Sequence, residues 1–249
     1  MIRVIIVVSS IILIAGCSQS PEKNKQSGAA PFKGLSRSIQ AVKLRLIDSL
    51  KRFSGLSSCS LIEDSAKYKL DIATNDGKKV GLIGITDSML YVFRHSGDEW
   101  IQDDSASFET YQFDFSFEYL NDDDQEDLIV YGFGNMHGQS EPFVFLCDSS
   151  GRFRYRPDIK QYNPSYNQHT KLFRSFYEGG AFSIIDKEIY HWVGDSLKLI
   201  RGAAFDPSAA ATQFPVTTFY VEKNGKRFDY KTVTDKTGKI YDTAVWKDN

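Results

Sequence analysis

Acidic and amide side chains alternate along the segment from Tyr119 to Leu128, which reads Tyr-Leu-Asn-Asp-Asp-Asp-Gln-Glu-Asp-Leu. Oxygen-bearing side chains at alternate positions of a tight turn can converge on a hard cation such as calcium. The same residue types are also common in a solvated hairpin turn. The residues therefore leave two interpretations open, a calcium site and an acidic turn that binds no metal.

A second polar segment, Gly132 to Glu141, joins two apolar runs. Its glycines let the backbone approach another surface closely, and loops held by rigid strands are common binding sites. The uncharged donors and acceptors that we expect to contact a partner are Asn135, His137, Gln139 and Ser140. An ordinary long hairpin loop, glycine-rich because it turns, is the alternative.

The motifs of several enzyme classes are missing from the sequence. It contains no H-E-x-x-H, no G-x-S-x-G and no phosphate-binding loop. Asp103, Asp104 and Glu126 could supply the two carboxylates of a glycoside hydrolase, which lie about 5–10 Å apart. In a chain with 32 acidic residues, solvated turns explain them better. We therefore predict a binding protein rather than an enzyme, with no cofactor other than the calcium considered above.

The N-terminus has the features of a lipoprotein signal peptide. Arg3 precedes an apolar run from Val4 to Ile14, which is shorter than the roughly 20 residues of a membrane span. The small residues before Cys17 resemble a lipobox, which implies that residues 1–16 are removed and that Cys17 carries the lipid. Several acyl chains on one residue hold a protein to a membrane. An ordinary secretory signal is the alternative.

The residues after Cys17 predict a tether and an envelope location. Ser18 to Gly34 is polar and rich in Ser, Gln and Lys, so we expect residues 17–35 to form a flexible tether. Ser18 differs from the Asp that resembles an inner-membrane retention signal in enteric bacteria. We therefore expect a lipid anchor in the outer membrane, facing the periplasm.

Two cysteines, Cys59 and Cys147, remain in the predicted mature chain. An oxidising compartment allows such a pair to form a disulfide. Two unpaired thiols, with Cys147 in a buried strand, are the alternative. The sequence leaves both open.

The folded part begins with one helix and continues as strands. Ile39, Val42, Leu46 and Leu50 recur at helical spacing, so residues 36–55 predict an amphipathic helix. From Lys67 onward the period is two, and turn signals punctuate three groups of strands at 67–102, 112–156 and 170–234.

The predicted fold class follows from this pattern. Residues 56–249 form one β-rich domain, and the fold is all-β. We expect an open half-propeller or a two-sheet meander of antiparallel strands, with one N-terminal amphipathic helix.

Composition excludes a disordered chain, a collagen-like chain and a multispan membrane protein, and the net charge argues against a nucleic-acid-binding protein. Apolar residues make up 41% of the chain and charged residues 25%, close to the values of globular proteins. The formal net charge is −2, so no basic excess would attract nucleic acid.

The acidic segment resembles the D-x-[DN]-x-D-G-x-x-D-L calcium loop of FG-GAP and VCBS repeats. The resemblance implies that the cation would be held by Asn121, Asp123, the carbonyl of Gln125 and Asp127. Tyr119 stands where that loop has its first Asp, and Asp124 stands where it has Gly. The loss of one charged ligand predicts weak calcium binding or none.

The resemblance extends over about residues 113–205. Leu128-Ile129-Val130-Tyr131-Gly132, Phe143-Val144-Phe145-Leu146, Asn163-Pro164-Ser165 and Glu188-Ile189-Tyr190-His191-Trp192 are similar, in this order, to segments of a family of half-propeller envelope lipoproteins. Some members inhibit lysozyme or give immunity to secreted peptidoglycan hydrolases. The resemblance implies a binding lipoprotein whose partner is a lysozyme-like hydrolase. A calcium-dependent structural or ligand-binding module and a carbohydrate-active enzyme are the alternatives.

Overall fold

A computed structural model describes residues 5–7, 37–64, 67–109, 113–132, 142–178, 184–208 and 214–244. The chain divides into two compact units. The first comprises Met1–Gln102 with Ser107–Tyr111, and the second comprises Asp103–Ala106 with Gln112–Asn249. The helix predicted as a separate segment belongs to the first unit.

The helix α1 runs from Arg37 to Arg52 and packs on the first sheet. Leu46 and Leu50 are fully buried, because the apolar stripe of the sequence faces that sheet. A methyl group at Gly81 would lie 2.7 Å from Leu50 Cδ2, so glycine at this position allows the close approach. Trp100 Nε1 donates to the carbonyl oxygen of Leu50 at 3.1 Å and satisfies one acceptor at the end of the helix.

The first sheet contains six strands in chain order: β1 (Ile5–Val7), β2 (Cys59–Glu63), β3 (Tyr68–Asn75), β4 (Lys78–Ile85), β5 (Ser88–Ser96) and β6 (Glu99–Phe108). β1 pairs with β2 in parallel, and β2 to β5 pair antiparallel. Asp76 and Gly77, between β3 and β4, both have positive φ angles. This is the tight hairpin turn that the Asn-Asp-Gly sequence favours.

The second sheet contains four antiparallel strands: β7 (Phe113–Glu118), β8 (Asp127–Gly132), β9 (Pro142–Cys147) and β10 (Phe153–Tyr155). Its edge strand β10 is held by carboxylates from β6. Asp103 accepts from Phe153 N at 3.0 Å and Asp104 accepts from Tyr155 N at 2.9 Å.

The third sheet contains six strands in chain order: β11 (Ser165–Asn167), β12 (Leu172–Glu178), β13 (Ile185–Val193), β14 (Ser196–Asp206), β15 (Val216–Lys223) and β16 (Lys226–Thr234). All of its pairs are antiparallel. The short helix α2 (Lys239–Ala244) follows, and Tyr241 packs in a cluster with Ile189, Ala203 and Phe219.

A second cluster joins the second and third sheets within the second unit. Its buried members are Leu120, Ile129, Val144, Ile159, Phe173 and Tyr190. Successive residues of β13 therefore pack in different clusters. Ile189 belongs to the cluster that contains Tyr241 of α2, and Tyr190 belongs to the cluster between the second and third sheets.

The predicted all-β meander of antiparallel strands is confirmed. The three sheets, with six, four and six strands, correspond broadly to the three predicted groups of strands, but β1 and β2 precede the first group and β11 precedes the third. In the part of the chain that the structure describes, neither helix has the length and apolar character needed to cross a membrane.

Candidate functional site

A cavity of about 570 Å³ lies against one face of the third sheet, within the size range of small-molecule sites. We call it the tyrosine pocket. Four tyrosines, three acids and two basic residues are among its lining side chains. The full lining is Lys160, Gln161, Tyr162, Ser175, Tyr177, Asp186, Glu188, Tyr190, Leu197, Leu199, Tyr220, Glu222 and Arg227.

Strand register brings the central residues of the tyrosine pocket together. Glu188 on β13 lies opposite Gly202 on β14, and Gly202 lies opposite Tyr220 on β15. The three positions form one row across three neighbouring strands. Because side chains alternate between faces along a strand, Asp186 and Tyr190 share the face of Glu188.

Gly202 makes the contact across this row possible. A methyl group at this position would lie 2.3 Å from two ring carbons of Tyr220 and 2.6 Å from its hydroxyl oxygen. The ring of Tyr220 therefore lies over Gly202 and reaches Glu188, two strands away. A glycine inside a strand often marks such a close approach.

Two phenol groups hold the carboxylates of the tyrosine pocket. Tyr190 Oη donates to Glu188 Oε2 at 2.5 Å. Tyr220 Oη lies 2.9 Å from Glu188 Oε1 and 3.2 Å from Asp186 Oδ1. Both oxygens of Glu188 thus accept hydrogen bonds from fixed side chains.

Burial sets the protonation of these groups. Desolvation, reinforced by the charge of Glu188, raises the pKa of both Tyr190 and Tyr220 far above the usual range. The phenols therefore remain donors at physiological pH. Desolvation and the charge of Glu188 also raise the pKa of Asp186, against the opposing effect of Arg227.

The wall of the tyrosine pocket comes from the connection between β10 and β11. Tyr162 and Tyr177 have ring centroids 4.8 Å apart. The carbonyl oxygen of Tyr162 accepts from Ser175 Oγ at 3.1 Å and from Phe176 N at 3.0 Å. These bonds fix the connection to β12, so this wall is preformed.

Arg227 closes another side of the tyrosine pocket. Its guanidinium carbon lies 3.7 Å from the ring centroid of Tyr220, and its Nε donates to Asp229 Oδ1 at 2.7 Å. The guanidinium is thus engaged by an aromatic face and by a carboxylate.

The predicted calcium loop is hydrogen-bonded to itself and to its surroundings. Asp127 is fully buried, and its carboxylate accepts from Leu120 N at 2.9 Å and from Cys147 N at 2.8 Å. Asp123 accepts from Gln125 N at 3.0 Å and from Asn121 Nδ2 at 2.9 Å. The carboxylate oxygens of Asp123 and Asp127 therefore already serve as structural acceptors.

Two further features belong to this loop. Asp124 has a φ of 56°, a left-handed conformation that Asp adopts more readily than most residues. Asp122 forms an ion pair with Lys171. Among the described residues, no group of three or more His, Cys, Asp or Glu side chains is arranged to hold a metal ion.

The predicted partner-binding residues Asn135, His137, Gln139 and Ser140 lie outside the described residues, as does the predicted lipidation site Cys17. The residues that flank the segment Gly132 to Glu141 on either side are described. Tyr131 at the end of β8 lies directly opposite Pro142 at the start of β9.

The two cysteines of the predicted mature chain are both buried free thiols in the structure. Cys59 lies in β2 of the first unit and Cys147 in β9 of the second. Burial, with a smaller contribution from Asp71, raises the pKa of the Cys59 thiol. The disulfide between them stays a prediction.

Two of the three acids considered for glycoside hydrolysis, Asp103 and Asp104, have a structural task. Asp103 is buried, and with Asp104 it bonds the backbone of β10 as described above. Neither residue lies in a solvated turn. Their contribution is to satisfy backbone donors of an edge strand.

The tyrosine pocket was not predicted from the sequence. Its residues are separated by up to 67 positions of sequence, and strand register brings most of them together. A signal was available in Gly202, a glycine inside the 11-residue strand β14, and in the alternation of Asp186, Glu188 and Tyr190 along β13.

Comparisons with known proteins add one structural similarity. No family model and no curated protein matches the chain. Among solved structures, the chain is similar to a Xanthomonas protein described as related to a type IV secretion system, with 13% sequence identity over 70% of this chain and 93% of that chain. The TM-score of this match is 0.41.

Proposed function

We propose that this chain is a lipid-anchored envelope protein that binds a partner rather than transforming a substrate. The observation that carries the proposal is the tyrosine pocket, where two phenols hold Glu188 and Asp186 in place. Acceptors fixed before a ligand arrives lose little conformational entropy when it binds. Binding is the activity that this geometry supports best.

The hydrogen bonds of Glu188 fix its carboxylate and leave a lone pair on each oxygen for a hydrogen brought by a ligand. In the tyrosine pocket, one oxygen of Glu188 accepts from Tyr190 and the other from Tyr220.

The partner that we propose is a lysozyme-like peptidoglycan hydrolase, inhibited as by an immunity protein. The specific observation in its favour is the base of the segment between β8 and β9, where Tyr131 and Pro142 are paired. Rigid strands hold both ends of this segment, and its uncharged side chains suit hydrogen bonding to the catalytic carboxylates of a glycan hydrolase.

The experiment measures peptidoglycan hydrolysis by a purified lysozyme-like enzyme with increasing amounts of the full chain. We expect the rate of hydrolysis to fall as the chain is added, and the chain itself to remain intact. The double variant His137→Ala/Ser140→Ala should bind more weakly by about 1–3 kcal/mol. The matched control is Ser96→Ala/His95→Ala, in the β5–β6 hairpin of the first unit.

Two results would contradict this partner. Unchanged hydrolysis at saturating concentrations of the chain would exclude inhibition of that enzyme. Equal dissociation constants for the double variant and the control, with the fold intact by circular dichroism, would place the contact surface elsewhere.

A further inference from the structure

We propose that the tyrosine pocket binds a primary ammonium group on an apolar stem, carried by a free diamine or by a lysine side chain. The inference rests on the proposed function, because it names the chemical class of ligand for the same pocket.

The lining of the tyrosine pocket offers more acceptors than donors. Gln161 Oε1 is a buried atom with no hydrogen-bond partner among the described residues. Asp186, Glu188 and Glu222 add three carboxylates. A buried acceptor without a partner is costly, so a ligand that donates to it is favoured.

Three hydroxyl donors of the lining are already used. The hydroxyl hydrogens of Tyr190 and Tyr220 point to the carboxylates, and Ser175 Oγ donates to the carbonyl oxygen of Tyr162. These hydroxyls leave the acceptors open to a ligand that brings its own hydrogens. An ammonium group brings three and no acceptor.

The charge of the lining favours a cation. Three carboxylates face two basic side chains, and one of these, Arg227, is engaged by Asp229 and by the ring of Tyr220. The other, Lys160, is exposed. Desolvation and Glu188 together raise the pKa of Asp186, and a bound cation would offset both effects. Aromatic faces such as those of Tyr162 and Tyr177 also attract cations.

The apolar part of the lining favours a stem. Leu197 and Leu199 lie on β14, and Leu199 is directly opposite Tyr190 on β13. An alkyl chain that covers these leucines would place its charged end toward the carboxylates of β13. A small inorganic cation would leave this apolar surface uncovered.

The first experiment compares two ligands on the wild-type full chain by isothermal titration calorimetry. Cadaverine is the probe, and its neutral diol analogue is the matched control. We expect cadaverine to bind at least about tenfold more tightly than the diol. Its affinity should fall at high ionic strength, because salt screens the carboxylates.

The second experiment uses variants of the pocket acids. Asp186→Asn and Glu188→Gln should each weaken cadaverine binding about tenfold or more. Asp98→Asn is the matched control, since it removes the same charge from an exposed turn of the first unit. Its affinity for cadaverine should equal that of the wild type.

A lysine peptide blocked at both ends distinguishes the two sources of the ammonium group. Tighter binding of cadaverine than of the peptide supports a free amine as the ligand, and tighter binding of the peptide supports a lysine side chain of a protein partner. If the diol binds as tightly as cadaverine, the ammonium proposal is wrong. A neutral peptidoglycan saccharide provides a further test. If it binds in place of cadaverine and Tyr220→Ala abolishes its binding, the tyrosine pocket is a binding site but the ammonium ligand is wrong. If Tyr220→Ala binds every ligand as the wild type does, the tyrosine pocket is not the site.

Discussion

Gly202 shows how a missing side chain determines the chemistry of its neighbours. It occupies the middle position of the row Glu188, Gly202 and Tyr220. Any side chain there would occupy the space of the Tyr220 ring. The hydrogen bond between Tyr220 and Glu188 thus depends on a residue that takes no part in it.

We expect Gly202→Ala to displace Tyr220 and to disrupt the tyrosine pocket. Overpacking of this kind costs about 1–3 kcal/mol of unfolding free energy. Denaturant unfolding measures the loss of unfolding free energy, and calorimetric titration measures the affinity of the tyrosine pocket for cadaverine. Gly55→Ala is the control, because a methyl group there meets nothing within 4 Å. Wild-type binding by Gly202→Ala would contradict the described position of Tyr220.

Asp235 is a buried acid whose charge supports the fold. Burial alone would raise its pKa, but bonds from Tyr241 N and Thr217 Oγ1, both at 2.9 Å, help to lower it below the ordinary value. Its stabilising contribution is therefore present above the unfolded-state pKa and is lost as the pH falls through the folded-state pKa.

We expect Asp235→Asn to destabilise the protein by about 1–3 kcal/mol at neutral pH. The difference from wild type should shrink below about pH 4, where the carboxylate is protonated in the unfolded chain. Thermal unfolding of both proteins between neutral pH and pH 3 measures this. A constant difference across that range would show that charge is not the cause.

At the scale of elements, local sequence predicts hairpins well. Asn224 and Gly225 both have positive φ between β15 and β16, as the Asn-Gly pair indicates. The register between strands cannot be predicted in this way. Hydrophobic alternation indicates which face of the sheet a residue lies on, but it does not indicate which residue of the next strand lies opposite. The tyrosine pocket depends on that register, so the candidate site could not be predicted although its strands could.

The acidic loop between β7 and β8 is the element whose calcium binding can be tested directly. We expect micromolar calcium to leave the melting temperature unchanged, because backbone donors already occupy Asp123 and Asp127. Differential scanning calorimetry with calcium and with a chelator measures this. A calcium-dependent increase that Asp123→Asn removes would favour the calcium-dependent module instead.

At the scale of the whole molecule, the three groups of strands were predictable but the two units were not. Strand β6 contributes to both units, with Asp103–Ala106 assigned to the second. Strand periodicity carries no information about which core a residue joins. Asp103 illustrates this, since its carboxylate bonds a strand fifty positions later in the chain.

The lipid anchor is a prediction for the whole molecule. We expect Cys17→Ala to abolish lipid attachment and processing, because the modification requires the thiol at the end of the apolar run. Membrane fractionation and intact mass measure the result, with Cys59→Ala as the control that retains Cys17. Complete membrane association of Cys17→Ala with an unchanged processed mass would show that another feature anchors the chain.

Every sheet is assembled from strands that follow one another in the chain, including the third sheet from β11 to β16. From β3 onward, each new strand of a sheet pairs with the strand immediately before it in the chain, so most loop closures are short and most strand pairings are local. A chain of this topology can add strands in the order in which a ribosome or a translocation channel releases them. The order of the strands therefore suits folding while the chain is still being released. At each stage few strand edges would lack a partner that has yet to be released.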